Sequence, residues 1–173
     1  MSTRARVIWA GLAVAVIGAG AGLYWFQPWK LFTSRTANES LPVVVAEPSS
    51  SASTPQNVLV AAGTIVSHEH DSSGTARLVR LASGQVQLVL EDLATSDGPD
   101  LRVWLTDQPV LEGRDGWFVF DDGRYVELGP LKANRGNQVY DVPAGTDLTG
   151  LTSVTIWCKR FSVSFAAAAL DPA

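Results

Sequence analysis

Cys158 is the one side chain in this sequence that could carry redox or nucleophilic chemistry by itself, because it is the only cysteine. The thiolate is the reactive form, and nearby cations favour it. Lys159 and Arg160 follow directly, although in a regular strand the side chain of Lys159 points to the opposite face. A lone free cysteine is also a small hydrophobic residue that fills core space. The residue chemistry leaves both interpretations of Cys158 open.

The two histidines are the second group of residues that could carry chemistry. His68 and His70 are two residues apart, so on an extended backbone their rings project from one face, a spacing that can hold Zn²⁺ or Cu²⁺. A structural zinc site needs four ligands, and the missing ones would have to come from Cys158 or from carboxylates such as Asp97 and Asp100. We therefore favour the interpretation of two solvated histidines on a loop.

An acidic cluster surrounds Gly98-Pro99 and consists of Glu91, Asp92, Asp97 and Asp100. Carboxylates can bind Ca²⁺, but the spacing does not match an EF-hand loop, and aspartates are common turn formers. The sequence also contains no G-x-S-x-G, H-E-x-x-H, P-loop or dinucleotide-binding motif. We predict no metal site.

The strands that must position Cys158 show a break in their alternation. The apolar side chains of 154–158 occupy even positions and those of 161–165 occupy odd positions. If both sets face one core, a β-bulge or a bend between two short strands must lie at Lys159-Arg160. Cys158 is therefore expected beside a backbone irregularity.

The chain from Val58 onward has the pattern of an all-β domain: short apolar alternations separated by turn residues. The pattern predicts one hairpin from Ala76 to Leu90 through Ala82-Ser83-Gly84. Leu101 to Leu105 predicts a half-buried strand. We count eight to ten short strands and no amphipathic helix, which predicts an antiparallel β-sandwich or barrel-like domain.

The N-terminus predicts a transmembrane anchor. Val7 to Phe26 contains no charged residue, and as a helix it would be about 30 Å long, the thickness of the hydrocarbon core of a bilayer. A cleaved secretory signal is the alternative, with Ala19 to Ala21 as the cleavage site. Against it, the apolar run continues to Phe26. We expect an uncleaved single-pass anchor in the cell membrane, with the N-terminus inside and the C-terminal domain extracytoplasmic.

The predicted organisation has four parts: a cytoplasmic N-terminus (1–6), a transmembrane anchor (7–26), a flexible, disordered linker (27–57) and a β domain (58–171). The Pro- and Ser-rich composition of the linker cannot bury enough apolar area to become ordered. The net charge of −4, without a basic stripe, argues against a nucleic-acid partner. A single cysteine also excludes an intrachain disulfide.

A set of motifs resembles the electron-transfer DM13 (DM-thirteen) domain over about Val58 to Leu170. The matching residues are His70-x-x-Ser73-Gly74-Thr75, Gly98-Pro99-Asp100-Leu101, Leu131-Lys132-x-Asn134-x-Gly136, Gln138-x-Tyr140, Pro143 and Trp157-Cys158-x-x-Phe161-x-Val163-x-Phe165. The final Trp-Cys motif together with the Gly-Pro-Asp-Leu turn is the specific part. A departure lies after Phe165, where four alanines stand in place of an early glycine.

The resemblance implies an all-β extracytoplasmic module in electron transfer, acting through a thiol or through a thiol-held prosthetic group such as haem. Cys158 matches the cysteine of that proposal and His70 its histidine, as a second ligand or proton partner. Such a chain would be an accessory electron-transfer domain with a redox partner protein at the membrane rather than a stand-alone enzyme. The alternative is a binding or structural module in which Cys158 fills the core and exposed aromatics, among Trp104, Trp117 and Tyr125, bind the partner.

Overall fold

The computed structural model describes residues 2–44 and 56–173. The chain begins with helix α1, Thr3–Phe26, capped at its start by the side chain of Ser2, which accepts a hydrogen bond from the backbone N–H of Ala5. No side chain of α1 is buried, and its mean hydropathy of 1.9 makes it long and apolar enough to cross a membrane, as a signal sequence would also be. A helix over the predicted apolar stretch is thus confirmed.

After α1, the described part of the chain forms two β-sheets. Its eleven strands, within 2–44 and 56–173, are β1 (Thr36–Asn38), β2 (Val58–Thr64), β3 (Val66–Ser67), β4 (Ser73–Arg80), β5 (Val86–Ala94), β6 (Leu101–Thr106), β7 (Tyr125–Pro130), β8 (Arg135–Asp141), β9 (Ser153–Cys158), β10 (Val163–Ala169) and β11 (Asp171–Pro172). The first sheet has the order β1-β8-β5-β4-β2-β11 and the second β3-β10-β9-β6-β7. Except for the parallel pair β1–β8, neighbouring strands run antiparallel. The predicted all-β, antiparallel fold is confirmed.

The main core lies between the two sheets, which gives a sandwich rather than a closed barrel. The predicted hairpin is the pair β4–β5, in which Arg80 lies opposite Val86. Leu88 and Leu90 on β5 are fully buried and belong to the same core as Val154 and Ile156 on β9. The alternation of apolar residues therefore predicted the inward faces of both strands.

The inner strands β6, β9 and β10 of the second sheet are buried on both faces, which the sequence pattern did not predict. Trp104 on β6 and Trp157 on β9 point away from the main core and pack with Phe120 and Ala167 in a smaller cluster. The segment between β6 and β7 supplies Phe120 and covers this outer face. The half-buried strand expected at Leu101 to Leu105 is therefore buried on both sides, because a long connection folds over it.

A buried polar network accounts for the Gln138-x-Tyr140 motif. The side chain of Gln138 pairs with both backbone groups of Ala133, donating to its carbonyl at 2.7 Å and accepting from its N–H at 3.2 Å. The hydroxyl of Tyr140 donates to Gln138 Oε1 at 2.8 Å and accepts from the backbone N–H of Lys132 at 3.0 Å. Burial raises the pKa of Tyr140 to about 12. The two side chains fix the loop between β7 and β8.

Residues 28–38, which we call the strap, lie on the β domain. They are the first part of the flexible linker predicted for 27–57, of which residues 45–55 lie outside the described residues. The strap begins with a short 3₁₀ helix, Pro28–Phe32, and ends with β1, which pairs with the edge strand β8. Between them the backbone N–H of Arg35 donates to the side chain of Asn134 at 2.7 Å. Backbone pairing and side-chain acceptors on the domain order this segment although its own composition is polar.

Candidate functional site

Cys158 is the last residue of β9, and β10 begins at Val163, so the predicted irregularity is a tight turn between two strands. The backbone N–H of Phe161 donates to the carbonyl of Cys158 at 3.2 Å, and Ser162 has a positive φ of 49°. The expected bend at Lys159-Arg160 is confirmed. It does not place Phe161 in the core: this ring is 38% exposed and stacks on Phe26 at the end of α1, with 5.7 Å between ring centroids.

The thiol of Cys158 lies in the core beneath this turn and has no exposed surface. Burial raises the pKa of Cys158, because a thiolate is poorly solvated there. The backbone amides of Phe161, Arg160 and Asp100 oppose that effect, and the negative charge of Glu69 adds to it. The thiol is therefore protonated at neutral pH, although three backbone N–H groups lie around it.

The two cations after Cys158 do not reach the sulfur. Lys159 Nζ binds Glu127 Oε2 at 3.1 Å on the outer face of the second sheet. The guanidinium of Arg160 donates to the carbonyls of Tyr24 and Trp25, at 3.2 and 2.8 Å, and lies over both aromatic rings. These are carbonyls of the last turn of α1, which lack partners within the helix. Arg160 therefore joins the turn to the helix instead of activating the thiol.

His68 is buried and both ring nitrogens are occupied. Nδ1 lies 2.8 Å from Ser164 Oγ and Nε2 lies 3.1 Å from the carbonyl oxygen of Leu111. Burial lowers the pKa of His68, and the hydrogen bond to Leu111 opposes this only in part. The interpretation of His68 as a solvated loop residue is wrong: it is a neutral core histidine that joins β10 to the segment covering the outer face.

His70 is half-buried, and its ring lies against Phe165 with 3.9 Å between ring centroids. Its Nε2 lies 3.8 Å from Glu69 Oε2, which is longer than a hydrogen bond. Burial lowers the pKa of His70, while the charges of Glu69 and Asp71 raise it less. A neutral imidazole with an available ring nitrogen therefore stands above the core residue Phe165.

His70 lines a cavity of about 380 Å³ between the strap and the β domain. The domain contributes Glu69, His70, Asp97, Gly98, Pro99, Phe161 and Phe165, and the end of α1 with the strap contributes Phe26, Gln27, Pro28, Lys30 and Leu31. Most of this lining is apolar. Four of the lining residues are ionisable: Lys30, Glu69, His70 and Asp97. Cys158 is not among the lining residues, although Phe161 of its own turn is.

A prosthetic group held jointly by Cys158 and His70 does not fit this arrangement. The sulfur has no exposed surface and belongs to the core, whereas the imidazole faces the cavity. Within 2–44 and 56–173, no group of three or more His, Cys, Asp or Glu side chains could hold a metal ion. We therefore derive no step through a haem or another thiol-bound group.

Of the acidic residues near Gly98-Pro99, Glu91, Asp97 and Asp100 form ion pairs with basic side chains. Asp97 is the central one: with only 5% of its side chain exposed, it lies 3.5 Å from Lys30 Nζ and 3.5 Å from the guanidinium of Arg35, and accepts a hydrogen bond from Thr33 Oγ1 at 3.0 Å. Asp100 pairs with Arg102 on the domain itself. Asp97 thus holds the strap above the cavity.

Of the aromatics predicted as exposed anchors, only Tyr125 is exposed. Its ring stacks on Trp104 at 3.9 Å between centroids, and Trp104 itself is buried. Trp117 is partly buried against the main core. The sequence reasoning missed the strap, whose only signal was the spacing of Lys30, Thr33 and Arg35 after the apolar run.

Comparison with known families gives one match. A family model described as electron transfer DM13 matches residues 64–170 of this chain. That range contains both sheets except for β1, most of β2 and β11, and it includes Cys158 and His70. No curated protein and no solved structure matches the chain.

Proposed function

This chain belongs to the electron transfer DM13 family, and from that premise we propose that it is a membrane-anchored electron-transfer module whose working end lies beside α1. Residues 7–26 are the anchor in this proposal, and the β domain of 58–171 is extracytoplasmic. Electrons pass between the domain and a redox partner protein or carrier in the membrane. The chain is then an accessory module rather than a stand-alone enzyme.

The contact between the Cys158 turn and the end of α1 carries the proposal. Arg160 binds two helix-end carbonyls and Phe161 stacks on Phe26, so the turn that contains the family's cysteine adjoins the anchor. The strap adds the ion pairs to Asp97. In a membrane this arrangement keeps Cys158 and His70 near the bilayer surface, where a membrane-bound partner can approach.

Within this proposal Cys158 is the redox thiol, shielded by the turn Lys159 to Ser162. The backbone amides of Phe161, Arg160 and Asp100 lower the pKa of Cys158 in part and so favour the thiolate, although burial raises this pKa overall. Burial opposes ionisation, so reaction requires the turn to move. The positive φ of Ser162 is a conformation that few non-glycine residues adopt, and it lies in this turn.

Voltammetry of the purified full-length chain, compared with its Cys158→Ala variant, tests this role. We expect a redox wave that the variant loses. Val154→Ala is the matched control, because it also shortens a buried side chain on the same face of β9 and should keep the wave. A wave that persists in Cys158→Ala, or a native chain without any wave, would refute the thiol as the redox group.

A structural role for Cys158 is the second candidate, and the complete burial of its sulfur favours it. The chain is then a membrane-displayed binding module, and Cys158→Ala lowers the free energy of unfolding by about 1–2 kcal/mol through lost volume while partner binding is unchanged. Chemical denaturation of the folded variant measures the first quantity. Maleimide labelling distinguishes the candidates: a core thiol reacts only after unfolding, whereas a gated redox thiol reacts slowly in the native chain.

A further inference from the structure

We infer that the cavity between the strap and the β domain binds the ring headgroup of a membrane-dissolved quinone. The inference rests on the proposed electron-transfer function and names the ligand class of that same end of the domain. It concerns binding alone and requires no redox step at Cys158, which does not line the cavity.

The walls of the cavity suit a flat ring. Phe161 and Phe165 contribute aromatic rings, and Leu31 and Pro99 contribute further apolar surface. Aromatic rings pack favourably in offset stacks or edge to face with other flat conjugated rings. The volume of about 380 Å³ lies at the low end of the range for small-molecule sites, as expected for a headgroup of one or two rings.

Two nitrogen groups on the cavity lining can meet the oxygens of such a ring. His70 has a ring nitrogen without a short contact to Glu69, and Lys30 Nζ lies at 3.5 Å from Asp97, at the limit of a hydrogen bond. A neutral imidazole donates to a quinone carbonyl or accepts from a quinol hydroxyl, so it suits both redox forms. The ammonium of Lys30 donates to the second oxygen.

The charges around the cavity select a neutral ligand. Glu69 and Asp97 both line it, and the two cations nearest Asp97 are already paired with that carboxylate. A phosphate headgroup would therefore be repelled by two carboxylates, while Asp97 already offsets the positive charge of Lys30 and Arg35; the remaining N–H groups of Lys30 can still donate to a neutral oxygen. The cavity also adjoins the end of the apolar helix α1, because Phe26 lines it, so an isoprenoid tail can remain in the bilayer while the ring enters.

The test uses the full-length chain in phosphatidylcholine nanodiscs, with a photoreactive azido-ubiquinone as the probe and a short-chain ubiquinone as the competitor. We expect saturable labelling that maps to peptides of the strap and of residues 158–165 and that the competitor removes. Leu31→Trp fills the cavity and should abolish labelling. His70→Phe keeps the ring on Phe165, loses one hydrogen bond, and should weaken binding by about three- to tenfold.

Leu111→Trp is the matched control, because Leu111 is 38% exposed and lies outside the cavity lining. It should label like the native chain. Labelling confined to α1, labelling unchanged in Leu31→Trp, or a phospholipid that copurifies and resists displacement by quinone would overturn the inference. Thermal unfolding followed by circular dichroism shows that each variant is folded. A chain that binds quinone but gives no redox wave refutes the electron-transfer proposal and leaves this inference standing. A chain that gives a redox wave but does not bind quinone refutes this inference alone.

Discussion

Asp97→Asn should release the strap from the β domain. Asn keeps the size of the side chain and one acceptor oxygen, but removes the charge that faces Lys30, Thr33 and Arg35. The hydroxyl bond at 3.0 Å is charge-assisted, and such bonds are about twice as strong as neutral ones. The two ion pairs add little, because Arg35 is 55% exposed and Lys30 26% exposed.

The expected loss is about 1–2 kcal/mol of docking free energy, most of it from the bond to Thr33. That corresponds to about a 5- to 30-fold larger population of the undocked strap. Hydrogen–deuterium exchange measured by mass spectrometry on the full-length chain reports this population through the amides of β1, which are protected only while β1 is paired with β8.

Asp100→Asn is the matched control, since Asp100 carries the same charge three residues away but pairs with Arg102 on the domain. In the Asp100→Asn variant, the backbone amides of the strap should exchange at the same rate as in the native chain. Equal strap exchange in Asp97→Asn and in the native chain would show that the charge of Asp97 does not hold the strap. Faster exchange throughout both sheets would point to general destabilisation instead.

Three further predictions concern the domain itself. Burial lowers the pKa of both histidines in the folded state below the unfolded value of about 6.5, so their contribution to the free energy of unfolding is fully present above that pH and is lost as the pH falls below it. His68→Gln should make the free energy of unfolding decline less steeply with falling pH in denaturation curves. An unchanged decline would contradict this prediction. Tyr140→Phe leaves the backbone N–H of Lys132 without its acceptor and removes one of the two hydrogen bonds that Gln138 Oε1 accepts, so it should cost about 1–3 kcal/mol in urea unfolding, whereas exposed Tyr125→Phe should cost almost nothing. Gly63→Ala places a methyl group against the backbone of Ala169 and should lower the melting temperature, while Gly84→Ala, where no atom lies near but φ is positive, should lower it less.

Local alternation was sufficient to predict the sheets and the bend after Cys158. Period-two patterns specify inward faces directly, and the change of phase between 154–158 and 161–165 required a turn or bulge. The same logic failed for Trp104 and Phe161, because both are positioned by segments distant in sequence. Trp104 is covered by the connection after β6, and Phe161 is held by the end of α1. No local pattern records either contact.

The candidate site was predictable in part. The motif match identified Cys158 and His70 as the residues to inspect, but not that one lies in the core and the other on a cavity. That difference depends on contacts that the motifs do not record: His70 rests on Phe165 at the cavity, while Cys158 is buried beneath its own turn. The composition of the strap predicted disorder, but the structure shows it ordered. Its order depends on acceptors such as Asp97 that lie elsewhere in the chain, and composition does not record them.

The pairing of β1 with β8 has a practical consequence for anyone who expresses the β domain alone. A fragment that starts at Val58 would lack β1 and leave the part of β8 that β1 covers, from Arg135 to Asn137, open along that border of the first sheet. Exposed strand borders of this kind recruit other chains and promote self-association. Such a fragment is expected to dimerise or precipitate through β8, and one that starts before Arg35 should stay monomeric.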